Sequence, residues 1–349
     1  MSWRKPKLRI GLDIGGHSVK LVAINSRDNS VYACQRSELV SAEMARTPSE
    51  VSDVHLRMAL RKVFQDLPNK RSAVQLAIST PFNNVFVLSM PDVDDSEIKQ
   101  ALFWELGPLL PKPAAQYEFD YRLLRREKKK HRLVVLVGTI LRTQFEMIVP
   151  VLKGLVSEIP LLDLESLALL ERFRQDYPDL TEPVGLLHMG ATHSSYTIVA
   201  PEADPVFLSL PFGGDILDGV ISRNRGVPVL TAEWQRKEPA FAEKIISQSA
   251  DGDKEDRETW EILVQFVSTI LRFNTRYEVQ NQKQVTRVVA TGGLCNDHLI
   301  QHILNTPDLF LKIPAEYWEP LKGLMPDEQI DAGLGFQYGI ALEMALRNG

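Results

Sequence analysis

A turn near the start of the chain, within the run RIGLDIGGHSVKLVAI, carries residues suited to binding phosphate. An alternating apolar run leads to Asp13, and Gly15 and Gly16 follow it. Ser18 and Lys20 come next. Glycines without a Cβ let a phosphate approach backbone N–H groups, while a hydroxyl donates to it and a lysine adds charge. Asp13 is placed to hold a hydrated Mg²⁺ ion. The alternative is a glycine-rich β-hairpin with ordinary surface charges, because short glycine motifs often arise by chance.

Three further glycine turns follow apolar runs in the second part of the chain. The first lies within VGLLHMGATHSSYTIV, where Gly190 is followed by Thr192 and Ser194. The others contain Gly213, Gly214 and Asp215, and then Gly292 and Gly293. Because strand–glycine turn–strand occurs in both halves, the sequence predicts two similar domains that face each other. In that arrangement two hairpin turns would pinch the phosphates, and the later turns would line a nucleoside.

Strands and amphipathic helices along the chain must position these turns. Apolar runs predict strands at 30–36, 73–79, 84–90, 159–162, 205–210 and 284–290, besides those that flank the first two turns. Helical periodicity predicts helices at 49–67, 164–173, 216–223, 257–280, 297–303 and 331–346. Asp163 is the predicted N-cap of the helix at 164–173. The fold class is therefore α/β.

Residues 87–160 differ in character and predict a small inserted subdomain. Two capping-box pairs, Asp94 with Glu97 and Thr143 with Glu146, would open helices at 96–106 and at 143 to about 155. Pro150 predicts a kink or an early end in the second helix. Two strands, 117–124 and 133–138, lie between these helices around the basic turn RREKKKHR, which is interpreted as a solvated hairpin tip.

The resulting division of the chain has five parts. They are a first domain that begins at 1–86, the inserted subdomain at 87–160, a connecting helix at 161–183 that completes the first domain, a second domain at 184–330 with a helical excursion at about 226–260, and a C-terminal helix at 331–349 that packs back on the first domain. Two prolines, Pro178 and Pro183, mark the joint between the domains.

Composition excludes several classes of protein. The 349 residues are 44% hydrophobic and 24% charged, which excludes a mainly disordered chain. A net charge of −5 gives no electrostatic reason for a nucleic-acid partner. Cys34 and Cys295 lie far apart without metal-ligand spacing, which fits a reducing compartment. The sequence has neither a signal-peptide core nor a membrane-spanning apolar run, so a cytoplasmic location is expected.

The set of turns resembles the actin/Hsp70/sugar-kinase superfamily. The corresponding segments are a first phosphate loop at 13–20, a connecting helix at 163–173, a second phosphate loop at 188–195, an adenosine loop at 290–294 and a second connecting helix at 331–346. Within the superfamily, the chain is most similar to the PilM family of type IV pilus assembly proteins. The similarity rests on DIGGHSVKLV, MPDVDDSEIKQALFWELGPLLPKP, LDLESLALLERF, LPFGGD and TGGL. The related FtsA family has an insertion at the same position.

This resemblance covers essentially the whole chain and implies an actin-like (Hsp70/ribonuclease-H-like) two-domain fold with an α+β subdomain inserted in the first domain. It implies that ATP and Mg²⁺ bind between the domains. It further implies a cytoplasmic adaptor that grips the N-terminal peptide of the inner-membrane protein PilN and links it to the pilus motor. The protein would then reach the inner membrane only through partners. Whether the chain associates with itself is left open.

The resemblance also assigns roles to individual residues. Phosphate contacts fall to Gly15, Gly16, Ser18 and Lys20, and to Gly190, Thr192 and Ser194 of the second loop. Asp13 would hold Mg²⁺ through water. The ribose would lie near Gly213, Gly214 and Asp215, and adenine near Gly292, Gly293, Arg272 and Arg276.

One residue departs from the superfamily pattern. His188 stands where the second phosphate loop usually carries an acid, and a histidine cannot replace a carboxylate in arranging hydrated Mg²⁺ and the attacking water. The departure predicts a site that binds ATP with weak or absent hydrolysis, although a histidine satisfied within the core is the alternative. Glu165 could orient a water, or could simply suit the positive end of its helix. The catalytic residues therefore stay unassigned.

Two other functions fit parts of the sequence. A sugar kinase of the same superfamily would need a catalytic base and often a zinc cluster, neither of which the sequence offers. A filament-forming membrane adaptor like FtsA would need a basic amphipathic helix after the core, and none is seen. For the adaptor, Phe103 and Trp104 are expected to border the peptide groove, with core packing as the alternative for each.

Overall fold

The computed structural model describes residues 7–39, 53–68, 72–81, 83–247, 254–306, 312–324 and 335–347. The first sheet begins as an antiparallel meander of β1 (Leu8–Ile14), β2 (Ser18–Asn25) and β3 (Val31–Glu38). Two strands parallel to β1, namely β4 (Ala73–Ile78) and β8 (Glu158–Leu164), complete the order β3-β2-β1-β4-β8. The ends of β1 and β4 are buried on both faces, which is why their sequences are continuous apolar runs.

The second sheet repeats this topology. It contains β9 (Val184–Met189), β10 (Ser194–Val199), β11 (Val206–Leu210), β12 (Arg287–Thr291) and β13 (Ala315–Tyr317) in the order β11-β10-β9-β12-β13. Its helices are α5 (Gly214–Arg225), α6 (Val229–Lys237), α7 (Pro239–Ser247), α8 (Lys254–Asn281) and α9 (His298–Leu304). In both sheets three antiparallel strands are followed by two parallel ones, so the glycine turns after β1 and β9 occupy equivalent positions.

The segment between β4 and β8 forms a three-stranded sheet with helices. Its elements are β5 (Asn84–Pro91), α2 (Ile98–Leu106), β6 (Tyr117–Glu127), β7 (Arg132–Leu141) and α3 (Arg142–Lys153), and the strand order is β5-β7-β6. One face of this sheet packs against Leu102 and Leu106 of α2. The opposite face, through Leu136 and Ile140, joins the core of the first sheet.

Both predicted capping boxes are wrong. The N-caps of α2 and α3 are Glu97 and Leu141, and neither makes a side-chain capping hydrogen bond. The Asp94 carbonyl accepts from the Glu97 N–H in a turn that precedes α2. Because β7 runs directly into α3, Thr143 already lies inside the first helical turn. The predicted early end at Pro150 is also wrong, since α3 continues to Lys153.

Two helices lie between the sheets and join the two halves. Helix α4 (Glu165–Asp176) follows β8, and α10 (Gly339–Leu346) is the last described helix. They pack on each other, and their apolar residues share one core with the second sheet and Trp318. Helix α1 (Asp53–Phe64) contacts β2, β3 and α3.

Both connecting helices begin differently from the prediction. The N-cap of α4 is Leu164, and Asp163 instead accepts a hydrogen bond from the Leu164 N–H and pairs with Arg347. Helix α10 begins at Gly339, after a 3-10 turn at Gly335–Gln337, whereas residues 331–334 of the predicted helix lie outside the described residues. Within the described part of the chain, no helix has the length and apolar character that crossing a bilayer requires.

Candidate functional site

The turns after β1 and β9 contain equivalent backbone hydrogen bonds and face each other. The Gly15 N–H donates to the Ser18 carbonyl at 3.0 Å, and the Gly190 N–H donates to the His193 carbonyl at 3.0 Å. A Cβ on Gly16 would overlap the side chain of Thr192, so the two turns approach as closely as a glycine allows. The predicted opposition of two glycine turns is therefore present in the structure.

A polar cavity of about 150 Å³ lies between these turns. Of the predicted site residues, those that line it are Asp13, Gly15, Gly16, Ser18, Lys20, Glu165, Gly190, Thr192, Gly214, Asp215 and Gly293. It adjoins a larger cavity of about 690 Å³ between β3, α5 and α6, and both are lined by His17, Arg36 and Lys237. The structure thus brings residues from distant parts of the sequence to one cleft between the two sheets.

Asp13 is buried and already has two partners. Its Oδ2 lies 2.9 Å from Lys20 Nζ, and its Oδ1 accepts a hydrogen bond from Ser79 Oγ at 2.8 Å. Among the described residues, no group of three or more His, Cys, Asp or Glu side chains could hold a metal ion. Mg²⁺ usually keeps several waters and takes one or two carboxylates together with substrate phosphates. The buried carboxylate of Asp13, which lies beside the first glycine turn, fits that mode and would hold the ion.

An ion pair crosses the cleft between the two halves. His17 Nε2 lies 2.8 Å from Asp215 Oδ1, which joins the first glycine turn to the first turn of α5. Burial acts to lower the pKa of His17, but the hydrogen bond and charge of Asp215 outweigh burial and raise it. The pair therefore favours the closed arrangement while His17 is protonated.

Arg236 holds a buried charged cluster beneath the cleft. Its guanidinium donates to Asp218 of α5 at 2.6 Å and pairs with Asp297, and all three side chains are almost fully buried. Asp297 also caps α9 by accepting hydrogen bonds from the Leu299 and Ile300 N–H groups. The cluster fixes α6 against α5 and against the turn that follows β12.

Glu165 is buried in a cluster with two histidines and a serine. Its Oε1 accepts from Ser195 Oγ at 2.7 Å and lies 2.9 Å from His188 Nδ1. His193 Nε2 lies 3.0 Å from Oε2, in an ion-pair contact that lacks hydrogen-bond alignment. Burial acts to raise the pKa of Glu165, but the two histidines outweigh burial and hold it well below the usual range. Neither earlier interpretation of this glutamate foresaw the cluster, because its four members meet only in the folded chain.

Several predicted contacts lie elsewhere. Ser194 is fully buried and donates to the Phe212 carbonyl, so it does not face the cavity. Arg272 and Arg276 lie on the exposed face of α8 and line neither cavity, because the opposite face, with Phe266 and Ile270, packs into the core. The structure therefore does not bring these arginines to the glycine turns, and their contact with adenine stays a prediction.

Two predicted glycines have backbone roles at the edge of the cavity. Gly292 has a φ of 100°, and a Cβ there would overlap the Met189 carbonyl. A Cβ on Gly213 would overlap the Ala191 carbonyl. These glycines let the later turns pack against β9 and the second glycine turn, while Gly214 and Gly293 beside them line the cavity.

Helix α6 supplies cavity residues that sequence reasoning missed. Glu233 and Lys237 line both cavities, and Lys237 Nζ lies 2.5 Å from Glu233 Oε1. The only sequence signal was this Glu–Lys pair four residues apart, which is also common on solvated helices. Arg36 and Ser79 likewise line the cavity without a sequence motif of their own.

A second large cavity of about 870 Å³ lies between the inserted sheet, β8 and α4. Its apolar side chains include Leu124, Leu136, Ile140, Phe145, Leu161, Leu162, Leu164, Leu167 and Leu170. Phe119 and Tyr121 of β6 also border it, but they pack with the cluster on the α2 side of the sheet. We call it the subdomain groove. Phe103 and Trp104, predicted to border a peptide groove, do not line it, because α2 covers the opposite face of the inserted sheet. Trp104 is 70% exposed on that other side.

The sequence of residues 11–331 matches the family model of the type IV pilus assembly protein PilM. The chain belongs to the PilM family. A solved structure named as the PilM–PilN type IV pilus biogenesis complex superposes with a TM-score of 0.76 at 18% identity, covering 97% of this chain and 98% of that one. This membership confirms the resemblance that the sequence motifs indicated.

Two further solved structures share the fold. The ethanolamine utilization protein EutJ from Carboxydothermus hydrogenoformans gives a TM-score of 0.52 at 13% identity, over 99% of this chain and 91% of that one. The diol dehydratase-reactivating factor in nucleotide-free form gives a TM-score of 0.53 at 11% identity, over 97% of this chain and 99% of that one. No curated protein sequence matches this PilM-family chain. The predicted actin-like α/β fold class is confirmed.

Proposed function

We propose that this protein is an ATP-binding, actin-like adaptor of the type IV pilus assembly machinery, with weak or absent ATP hydrolysis. The observation that carries the nucleotide part is the pair of matching turns at Gly15 and Gly190, which face each other across one polar cavity. Backbone N–H groups in such turns, together with Lys20, form the kind of concave site that binds phosphates. Membership of the PilM family supports the same function.

The two adjoining cavities suggest how ATP would lie. The phosphates would occupy the smaller cavity between the glycine turns, where Asp13 would hold Mg²⁺ through water. The nucleoside would extend into the larger cavity beside α5 and α6, where Asp215, Glu233 and Lys237 supply polar groups. A bound nucleotide would then contact both halves and fix the angle between them, as a clamp.

Weak hydrolysis follows from the groups that surround the phosphate cavity. Hydrolysis needs a residue that orients or deprotonates the attacking water. His188 replaces the acid expected for that task, and Glu165 is already occupied by Ser195, His188 and His193. The other carboxylates that line this cavity are also paired: Asp13 with Lys20, Asp215 with His17, Asp218 with Arg236 and Glu233 with Lys237.

For the partner, we propose the N-terminal peptide of an inner-membrane PilN-like protein, bound in the subdomain groove. Among the described strands, β6 pairs only with β7 and β8 pairs only with β4, so each has an open edge beside the groove. An extended peptide can add its backbone to such an edge while its alternate side chains enter an apolar cavity. The peptide would recruit the cytoplasmic protein to the inner membrane and connect it to the pilus motor.

The test is calorimetric titration of the purified protein with Mg²⁺–ATP and with a synthetic N-terminal peptide of a PilN-like protein, with phosphate release followed in parallel. Binding of both ligands with negligible phosphate release is the expected result. Rapid turnover that depends on a small sugar and not on the peptide would overturn the proposal in favour of a sugar kinase.

A pair of variants tests where the peptide binds. Leu124→Glu places a charge in the subdomain groove and should weaken peptide binding by roughly tenfold or more, because an apolar contact is replaced by a desolvated charge. Trp104→Glu, on the opposite face of the inserted sheet, should bind the peptide like the wild type. The reverse pattern would place the peptide on α2. Circular dichroism and binding of ATP would show that both variants are folded.

A further inference from the structure

The ring of His188 is held in one orientation by its surroundings. Glu165 contacts Nδ1 on one side. A Cβ on Gly292 would lie only 2.8 Å from Cδ2, and one on Gly190 would lie 3.8 Å from Cε1, so the two glycines leave room for the ring between their turns. The side chain is 12% exposed and lines the phosphate cavity. Because Nε2 lies between Cδ2 and Cε1 on the far side from Cγ, it is the ring nitrogen directed away from the strand.

The protonation of the cluster follows from the charge of Glu165. The pKa of this carboxyl is held below its usual range, so Glu165 is an anion that only accepts hydrogen bonds. His188 must therefore donate its Nδ1 proton to Glu165. With Nδ1 protonated, Nε2 either accepts a hydrogen bond in the neutral ring or donates one in the imidazolium. Contact with a phosphate oxygen requires the donor.

We propose that His188 binds the terminal phosphate of ATP through Nε2 as an imidazolium, and that Glu165 and His193 are positioning residues for its ring. This inference rests on the proposed nucleotide site. The carboxylate of Glu165 balances the positive charge that His188 acquires, and the terminal phosphate supplies a second anionic partner. ADP lacks that phosphate, so His188 distinguishes the triphosphate from the diphosphate.

Other charged groups near the ring do not provide the same contact. The remaining ionisable groups that line the phosphate cavity are Asp13, Lys20, Arg36, His17, His193, Asp215, Asp218, Glu233, Arg236 and Lys237. Lys20 pairs with Asp13, His17 with Asp215, and Arg236 with Asp218. Of the two histidines that contact Glu165, His193 directs its Nε2 towards the carboxylate, whereas His188 directs its Nδ1 there. Of these two histidines, His188 is therefore the one whose Nε2 is not engaged with Glu165.

The central prediction is proton uptake linked to ATP. Because the imidazolium is the form that donates to a phosphate oxygen, binding of Mg²⁺–ATP at about pH 7.5 should take up protons, and binding of Mg²⁺–ADP should take up fewer. Titration calorimetry in two buffers of different ionisation enthalpy measures this number directly. Equal proton uptake for ATP and ADP in the wild type would overturn the inference.

Two substitutions of His188 distinguish the roles of its two ring nitrogens. His188→Asn keeps a donor for Glu165 but removes Nε2, and it should lower the preference for ATP over ADP by roughly ten- to a hundredfold and abolish the proton uptake. His188→Gln carries its amide further out and should keep part of the preference without proton uptake. His302→Asn, on the exposed end of α9, is the matched control and should change neither quantity.

The pH dependence of the preference for ATP tests the role of Glu165. Glu165→Gln keeps a hydrogen-bond acceptor but removes the charge that favours the imidazolium, so the preference for ATP should require a lower pH than in the wild type. An unchanged pH dependence would assign Glu165 a purely structural role.

The outcomes separate this inference from the proposed function. If the wild type binds neither nucleotide, the nucleotide site itself is wrong and both proposals fail. If both nucleotides bind and His188→Asn retains the wild-type preference and proton uptake, only the inference about His188 fails.

Discussion

Charged residues in the cleft neutralise one another in pairs. Asp13 contacts Lys20, and His17 contacts Asp215 on the opposite side of the cleft. A triphosphate that enters the cavity must therefore exchange these partners for its own oxygens. The exchange is favourable only if a cation accompanies the nucleotide, since Asp13 would otherwise lose its counter-charge beside an anion. Mg²⁺ is therefore part of the expected ligand.

Arg236 offers a residue-level test of the buried cluster. Arg236→Met would leave the carboxylates of Asp218 and Asp297 buried without their cation, so we expect the free energy of unfolding to fall by about 3–5 kcal/mol. Urea denaturation followed by circular dichroism measures the change. Arg272→Met, on the exposed face of α8, is the control and should stay within about 0.5 kcal/mol of the wild type. Similar stability of the two variants would show that the cluster contributes little.

His17 should make stability depend on pH. Its pKa is raised in the folded protein, so its contribution is fully present below the unfolded value of 6.5 and is lost as the pH rises through the raised folded value. His17→Gln keeps a polar side chain but cannot become charged. Thermal unfolding of the wild type and the variant should differ near about pH 6 and converge by about pH 9. A difference that is independent of pH would mean that the pair acts without protonation.

At the scale of elements, close backbone contacts connect the two halves. Helix α10 lies directly on β1, and a Cβ at Gly11 would overlap the Ala341 carbonyl. Helix α4 begins at Glu165 in the nucleotide cleft, and Leu167 and Leu170 of the same helix line the subdomain groove. One helix thus touches both proposed ligand sites. If a nucleotide shifts α4 and so changes the affinity of the groove for the peptide, the peptide must change the affinity for the nucleotide by the same factor.

Two glycine substitutions, which should change the stability of the protein in opposite directions, test the packing of these elements. Gly11→Ala should destabilise the protein by about 2–3 kcal/mol, because α10 must move away from β1. Gly219→Ala lies within α5, where a Cβ would meet nothing within 4 Å, and should stabilise the protein by about 0.5–1 kcal/mol. Denaturant midpoints of both variants measure the effects. Equal stabilities would contradict the close packing of α10.

At the scale of the whole molecule, the proposed nucleotide binding would depend on how closely the two halves approach. Gly16 and Thr192, one from each glycine turn, lie so close that a Cβ on Gly16 would overlap the threonine side chain. Because the phosphates would lie between these turns, the distance between the halves sets how many of their donors a phosphate can reach at once. In the proposed adaptor function, a change in this distance between the halves would be the signal that a nucleotide is bound.

Gly16→Val should hold the cleft open. The added side chain would overlap Thr192, so the two turns must separate, and affinity for ATP should fall by roughly tenfold or more while the fold is retained. Titration calorimetry measures the affinity, and small-angle X-ray scattering measures the opening. Gly154→Ala, at the end of α3 with only ordinary contacts for its Cβ, should match the wild type in both. Wild-type affinity in Gly16→Val would refute the proposed pinch of the phosphates.

Local pattern in the sequence predicted the repeated strands and the first two glycine turns. Apolar residues recur along β1, β2, β9 and β10 in a pattern that consecutive residues of the sequence show directly. The tight turns between these strands need glycines at fixed positions. The family followed from the same motifs. Predicted helix starts failed where neighbouring elements decided them: β7 runs straight into α3 at the predicted capping box of Thr143, and Asp163 pairs with Arg347 and does not cap α4.

Only the tertiary structure decided which side chains meet. Glu165, His188 and His193 lie on three different elements, and α6 reaches the cleft without any motif. Arg272 and Arg276 belong to a helix correctly predicted from its period, yet the period alone cannot say which face the core will cover. Burial and ionic contacts between distant residues depend on how the two halves pack against α4 and α10. The sequence by itself therefore determined the turns and the family, and the packing of the halves determined the site.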